Sequence, residues 1–454
     1  MQYSIIQKSQ LEGAHRLDAE YYQPEYLDLK NKITSIEFRS IKDLSEKVFS
    51  GPFGSTLKSE SYQDFGIPFI RIGDIADIFI DKDNLVYISE EEHKRIYSTH
   101  LNIGDIVLSK IATIGKLSVI DDELGEVNIS ENNIGIRLQS LNENVRAYVL
   151  FFLLSKFGQF QIFRMASGNI QLKLNVSDIE NILLPFAKDN RNKIFADYYS
   201  QVIEERRKSI KFYQQAQNLL LEELGLENFE TENVSARIVN FSDVKSAGRM
   251  DAEYFQVKYE KLLKKVEEKN GKILGEIVSI KKGIEPGAES YLEEGKKFIR
   301  VSNMSKFGIS DNDQKYLSED LYKKLKEDFE PKKGEILLTK DATPGIACVL
   351  KEDTEGIIAG GILRLKLKNK DIEDEYLALC LNSVVGQMQA ERDAGGSVIA
   401  HWKPEQIKNV LIPILPKSTQ QKIADLIRQS HKARKKAREL LEEAKRKVEE
   451  LIEK

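Results

Sequence analysis

Asp18, Glu20, Tyr21 and Tyr22 stand in one short run, and Asp251, Glu253, Tyr254 and Phe255 in another. Paired carboxylates of this kind can do general acid–base work or hold a metal ion. Both runs open what reads as a helix, where an aspartate caps free N–H groups and the tyrosines pack, and capping is the simpler reading. The stretch TIGK at 113–116 has the outline of a phosphate loop. Five positions before Gly115, however, stands Lys110, where the P-loop pattern requires glycine. No HExxH stretch is present, and the five histidines are scattered without metal-ligand spacing. Cys348 and Cys380 are the only cysteines and form no CxxC, so neither a zinc site nor a disulfide framework is expected. A methyl-transferring enzyme would carry an Asn/Asp-Pro-Pro-aromatic loop and a glycine-rich cofactor turn, and the sequence has neither. The expectation is a chain without catalytic residues, cofactor or metal.

The elements that would position any site are written twice. RLDAEYY (16–22) returns as RMDAEYF (249–255), PFIRIGDI (68–75) as KFIRVSNM (297–304), and GDIVLSKIATIG (104–115) as GEILLTKDATPG (334–345). Tyr148, Gly158, Gln159, Arg164 and Pro185 recur as Tyr376, Gly386, Gln387, Arg392 and Pro413. Every echo lies 228 to 233 positions downstream, in unbroken order, which is the mark of a duplication. Each copy runs from the DAEY stretch through β-rich segments ending at Gly and Asp to an apolar helical stretch, a proline-marked strand and one long helix.

The two closing helices, 193–224 and 422–453, contain no Gly or Pro. Ala196, Tyr199, Ile203, Ile210, Tyr213, Leu220 and Leu224 are expected on one seam of the first. Ile423, Leu426, Ala437, Leu441, Ala444, Val448 and Leu451 are expected on that of the second. At ~1.5 Å per residue each rod is roughly 48 Å long and unstable alone, so the two should pair, antiparallel if a twofold relates the copies. Gly225 fits a C-terminal cap. Residues 3–22 lack the helix that precedes their counterpart, and the repeat predicts that they dock beside the end of the last helix. The fold class expected is α+β: two pseudo-symmetric mixed α/β domains, 1–190 and 227–416, separated by long helices 191–226 and 417–454 forming an antiparallel coiled-coil spacer.

Net charge is −4 in 454 residues. Proteins that grip nucleic acid alone usually carry excess basic charge, because phosphate contacts release counterions. Here basic residues must be sorted onto one face, or partners must supply the field. No apolar run approaches the ~20 residues of a membrane span, and the N-terminus lacks the build of a secretory signal, so a cytoplasmic protein is expected.

The segments SGPFGSTLKSESYQDFGIPFIRIGDI, GDIVLSK…TIGK and PILPKSTQQKIADLI, with the duplication and the two long helices, resemble the specificity subunits of type I restriction–modification systems. The resemblance covers nearly the whole chain. It implies a non-catalytic subunit in which each globular part reads one half of a split site on double-stranded DNA. It also implies two methyltransferase (M) subunits held by the helices, restriction (R) subunits joining them, and catalysis on those other chains. Two readers on one spacer should meet half-sites about one helical turn, roughly 34 Å, apart.

The copies differ most at 50–61 against 281–292 and at 167–178 against 395–406, which become the candidate reading loops. Ser55, Lys58, Asn169, Gln171 and Lys173 offer donors in the first copy, as do Lys282, Ser397 and His401 in the second. Lys110 and Thr113, with Lys340 and Thr343, stand at strand ends as candidate phosphate contacts, and Asn303 as a partner for adenine. Arg71 and Arg300 sit in apolar runs in both copies, which favours a scaffold ion pair. Trp402 is read as a core or interface anchor, and the basic run 431–438 as a solvated or partner-facing helix face. A scaffold protein that pairs helices without reading DNA is the alternative, but it leaves the divergent loops unexplained.

Overall fold

The computed structural model describes residues 4–9, 11, 16–52, 57–76, 78–82, 85–168, 172–186, 193–227, 229, 238–311, 313–395 and 400–453. The chain divides into two compact units, Met1–Glu204 with Lys436–Lys454, and Glu205–Lys435. The division cuts both long helices, Lys193–Leu224 and Lys417–Glu453, and gives each unit part of both. The two termini fall in the same unit.

In the first unit an antiparallel sheet has the order Ser45–Ser50, Asn133–Leu138, Ile106–Ser109, Leu117–Val119. A second sheet orders Val86–Ile88, Ile67–Ile70, Val127–Ile129 and His100–Leu101, its central pair parallel. The second unit repeats the plan with Val278–Lys282, Ile362–Leu367, Ile336–Thr339 and Ala347–Val349, beside a sheet of Lys315–Leu317, Lys296–Ile299 and Gly356–Ile358. The strands that read as continuous apolar runs, Ile106–Ser109 and Ile336–Thr339, are buried throughout, as expected of strands covered on both faces.

The apolar helical stretch of each copy divides in two. Glu143–Leu154 gives way to Lys156–Met165 at Ser155, whose hydroxyl accepts the Gly158 N–H, and Asp374–Asn382 gives way to Val384–Asp393 at Ser383, which accepts from Val385. Serine is a favoured cap because its side chain satisfies an N–H the helix leaves open. Gly158 and Gly386 explain their own recurrence: a Cβ on Gly158 would lie 2.2 Å from the Phe152 carbonyl oxygen, and one on Gly386 2.2 Å from that of Leu381.

The DAEY runs depart from the helix-cap expectation. Ala19–Tyr22 and Ala252–Phe255 are single 3-10 turns, and neither Asp18 nor Asp251 makes a side-chain cap. Each aspartate instead pairs with the arginine two residues before it, Arg16 to Asp18 at 2.6 Å and Arg249 to Asp251 at 2.7 Å. Those arginines donate onward to the last carbonyls of a helix, Arg16 to Met165 at 2.8 Å and Arg249 to Asp393 at 3.0 Å. The runs are straps that fasten to a helix C-terminus, where positive charge is favoured.

Within the first unit the start of the first long helix packs on the end of the last, Phe195 and Val202 sharing a core with Leu441, Ala444, Val448 and Ile452. Within the second the end of the one meets the start of the other, Tyr213, Ala216, Leu220 and Leu224 with Ile423 and Ile427. Both meetings are those of an antiparallel pair. In the second helix Ile423, Ala437, Leu441, Ala444 and Val448 are buried as expected, while Ile427 and Ile452 are buried in place of the half-buried Leu426 and Leu451. In the first helix Tyr213, Leu220 and Leu224 are buried as expected, but further toward its start Phe195, Val202 and Ser209 take the inward places and Ile210 is 39 % exposed. Gly225 closes the helix at φ 62°, with Leu226 N–H donating to the Leu221 carbonyl at 2.9 Å.

Candidate nucleic-acid interface

Each unit builds the same turn after its central strand. Ala112 and Ala342 adopt left-handed φ of 57° and 61°, and Gly115 and Gly345 follow at 84° and 96°. The hydroxyls of Ser109 and Thr339 donate to the carbonyls of Thr113 and Thr343 across the turn. From the helix behind, Gln159 donates to the Gly115 carbonyl at 3.0 Å and Gln387 to that of Gly345 at 2.8 Å. A turn clamped on both sides holds its side chains without loss of order on binding.

Beside this turn lies the root of a divergent loop. Ser167 and Lys173 exchange backbone hydrogen bonds at 3.0 and 2.8 Å, and Gly395 and His401 do so at 3.2 and 2.8 Å. Residues 111 and 173, and likewise 341 and 401, form isolated β-bridges. One backbone frame therefore presents Lys110, Ile111 and Lys173 in the first unit and Lys340, Asp341 and His401 in the second.

The chemistry at that frame is not the same. Lys110 Nζ donates to Ser50 Oγ and to the Glu131 carbonyl, both at 2.8 Å. Burial, and then the like charge of Lys173, hold its pKa below the ordinary lysine value. Lys173 itself is exposed. In the second unit the register place of Ser50 belongs to Lys282, an exposed cation at a strand end that cannot accept. Lys340 turns to Asp341 instead, and the other oxygen of Asp341 lies 2.8 Å from His401 Nδ1. Burial by itself would raise Asp341, but hydrogen bonds from Lys340 and His401 outweigh it and hold the carboxyl below its usual range. Lys340 is 8 % exposed, whereas the His401 side chain is 61 % exposed.

Lys58 lines an open cleft of about 740 Å³ with Pro52, Tyr62, Arg71 and Glu131. Arg71 makes the expected scaffold pair, Nη2 to Asp74 Oδ1 at 3.2 Å, while Arg300 reaches Asp313 Oδ2 at 2.8 Å. Asn303 is a correction. It is fully buried, and its side-chain oxygen accepts the Arg300 backbone N–H at 3.0 Å, as Asp74 does for Arg71 at 2.7 Å. It closes a turn and has no face left for adenine. Trp402 is fully buried in the core, as expected of an anchor. Ser55, Asn169, Gln171 and Ser397 lie outside the described residues. Reading from sequence missed Asp341, although the aligned runs show it directly, opposite Ile111.

Two copies of one mixed α/β unit, alike in framework and unlike at one surface, define a tandem recognition protein. A family model identifies the kind: "Type I restriction modification DNA specificity domain" matches residues 33–212 and again 266–445. The chain belongs to this family and is a type I restriction–modification specificity subunit. It is 24 % identical over 433 residues to a Methanocaldococcus jannaschii protein that bears the name of the type I restriction enzyme MjaX specificity subunit, covering 92 % of each chain. Among solved structures it is similar to the type I S subunit from M. genitalium, with 15 % identity, 92 % and 95 % coverage and a TM-score of 0.38. The HsdS subunit from Thermoanaerobacter tengcongensis matches with 15 % identity, 91 % and 95 % coverage and a TM-score of 0.28. Among the described residues no helix is long and apolar enough to cross a membrane.

Proposed function

We propose that this subunit reads an asymmetric, two-part site on double-stranded DNA in the cytoplasm, one half with each unit. Two methyltransferase subunits dock on it and restriction subunits join them, so that methyl transfer and ATP-driven cleavage take place on those chains. The observation that carries the reading is the shared frame with unlike side chains, Lys110, Ile111 and Lys173 against Lys340, Asp341 and His401. Within each unit the frame presents side chains at equivalent places, and unequal donors and acceptors select unequal bases. Lys58, Lys110, Thr113 and Lys173 belong to the first reading surface, with Ser55, Asn169 and Gln171. Lys282, Lys340, Thr343 and His401 belong to the second, with Ser397.

Two identical partners are supported by a repeated surface. Ile5 and Leu17 are 89 % and 84 % exposed, and their repeat counterparts Ile238 and Met250 are 98 % and 86 % exposed. Large apolar side chains left in water at matching places are what a partner present in two copies would cover. The net charge of −4 also favours a share of the grip on phosphates being supplied by those partners.

The test is selection of randomised duplex DNA by the full chain in complex with its methyltransferase subunits. The expected product is one motif of two unlike specified parts around an unspecified gap. A palindromic motif, or no motif, contradicts the proposal.

A further inference from the structure

We propose that Asp341 is a base-reading residue of the second unit, its carboxylate accepting a hydrogen bond from the exocyclic amino group of a cytosine. The inference rests on the function proposed above and deepens it. Asp341 stands at the root of the divergent loop 395–401, and its side chain keeps 22 % of its surface open. A carboxylate has about four lone-pair sites. Lys340 takes one on Oδ2 and His401 one on Oδ1, so acceptor capacity remains on both oxygens.

The flanking donors do two things. They fix the carboxylate against the strand end, and they offset a negative charge that would otherwise repel the phosphate backbone. Satisfying Lys340 needs only one oxygen. The second holds His401, whose imidazole is mostly in solvent, so the pair extends from a buried lysine to the rim.

Base chemistry then selects. In the major groove cytosine offers only the N4 amino donor, whereas adenine sets its N6 donor beside the N7 acceptor, and guanine offers acceptors alone. An acceptor-only carboxylate therefore favours cytosine. The first unit has Ile111 in this place between Lys110 and Lys173, donors without an acceptor, which suit guanine or phosphate.

Asp341→Asn keeps the shape and one acceptor oxygen but adds an amino donor. In the full chain with its methyltransferase subunits, methylated products from a randomised duplex pool should show cytosine preference falling about tenfold or more at one position of the half-site read by the second unit. The other half-site should stay as it was. In Ile111→Asp, a position of the first half-site should gain cytosine preference instead. If Asp341→Asn leaves the preference at every position unchanged, with total methylation normal or lowered, Asp341 only neutralises Lys340 and the proposal is overturned. Should Asp341→Asn fail to fold, an unchanged first half-site in Ile111→Asp overturns it. A wild-type complex without a two-part motif would mark failure of the underlying reading, a distinct result.

Discussion

The hydroxyl of Tyr376 donates to the carbonyl of Pro413 at 2.7 Å, and Tyr148 makes the same bond to Pro185 at 2.6 Å. Each ties an apolar helix to the strand that leads into a long helix, so the recurrence of Tyr and Pro at matched places is one fastening used twice. Both tyrosines are buried, and burial pushes both phenols well above their ordinary pKa. Removing either hydroxyl strands a carbonyl away from water, which costs about 1–3 kcal/mol. Tyr148→Phe and Tyr376→Phe should each lower stability by about that much in urea titrations, with the DNA motif unchanged.

Ser209 and Ser430 set how closely the paired helices approach in the second unit. Both are fully buried, their oxygens are 3.2 Å apart, and Ser430 also donates to the Ser209 carbonyl at 2.8 Å. Ser430→Leu forces extra volume into that contact and should cost about 1–3 kcal/mol. Ser430→Ala should cost about 1 kcal/mol. Thermal denaturation of the two variants should therefore show leucine, the more apolar residue, as the more damaging.

His431 gives the second unit an acid sensitivity. Burial, then the nearby charges of Lys351 and Arg434, push its pKa down to about 4. Glu375, 3.7 Å away, does not reverse this because Lys351 already pairs with it. The unfolded chain takes up a proton near the ordinary histidine value of about 6.5, and the folded chain does not until near 4, so stability must fall as pH is lowered through that window. Melting temperatures between pH 7 and pH 4.5 should show this decline, and His431→Leu should flatten it.

Lys173 is exposed beside Lys110, and among the described residues it is hydrogen-bonded through its backbone to Ser167. If it meets a phosphate, Lys173→Ala leaves stability alone, weakens DNA binding by the complex, and lowers the salt slope of log K by about 0.9. An unchanged slope would remove Lys173 from the backbone contacts.

Much of this was legible in the sequence because the duplication preserved residues that make bonds. Gln159 and Gln387 clamp equivalent turns, and Gly158 and Gly386 let equivalent backbones approach. What escaped was decided by geometry. Apolarity put Ile210 on the helix seam, but the close approach needs a small residue, and Ser209 faces inward in its place. Asn303 follows a strand and reads as a surface donor, yet the open N–H of Arg300 draws it inside. Asp341 was visible as a mismatch, and only the positions of Lys340 and His401 give that mismatch a chemical meaning.

Under the proposed function each unit reads its own half of the DNA site. Exchanging residues 30–185 for the matching segment of a relative with a different target, then mapping the methylated sites in the DNA of cells that carry the complex, puts this to the test. One half of the motif should change and the other should persist. Both halves changed, or neither, would mean that the two units do not read separate halves.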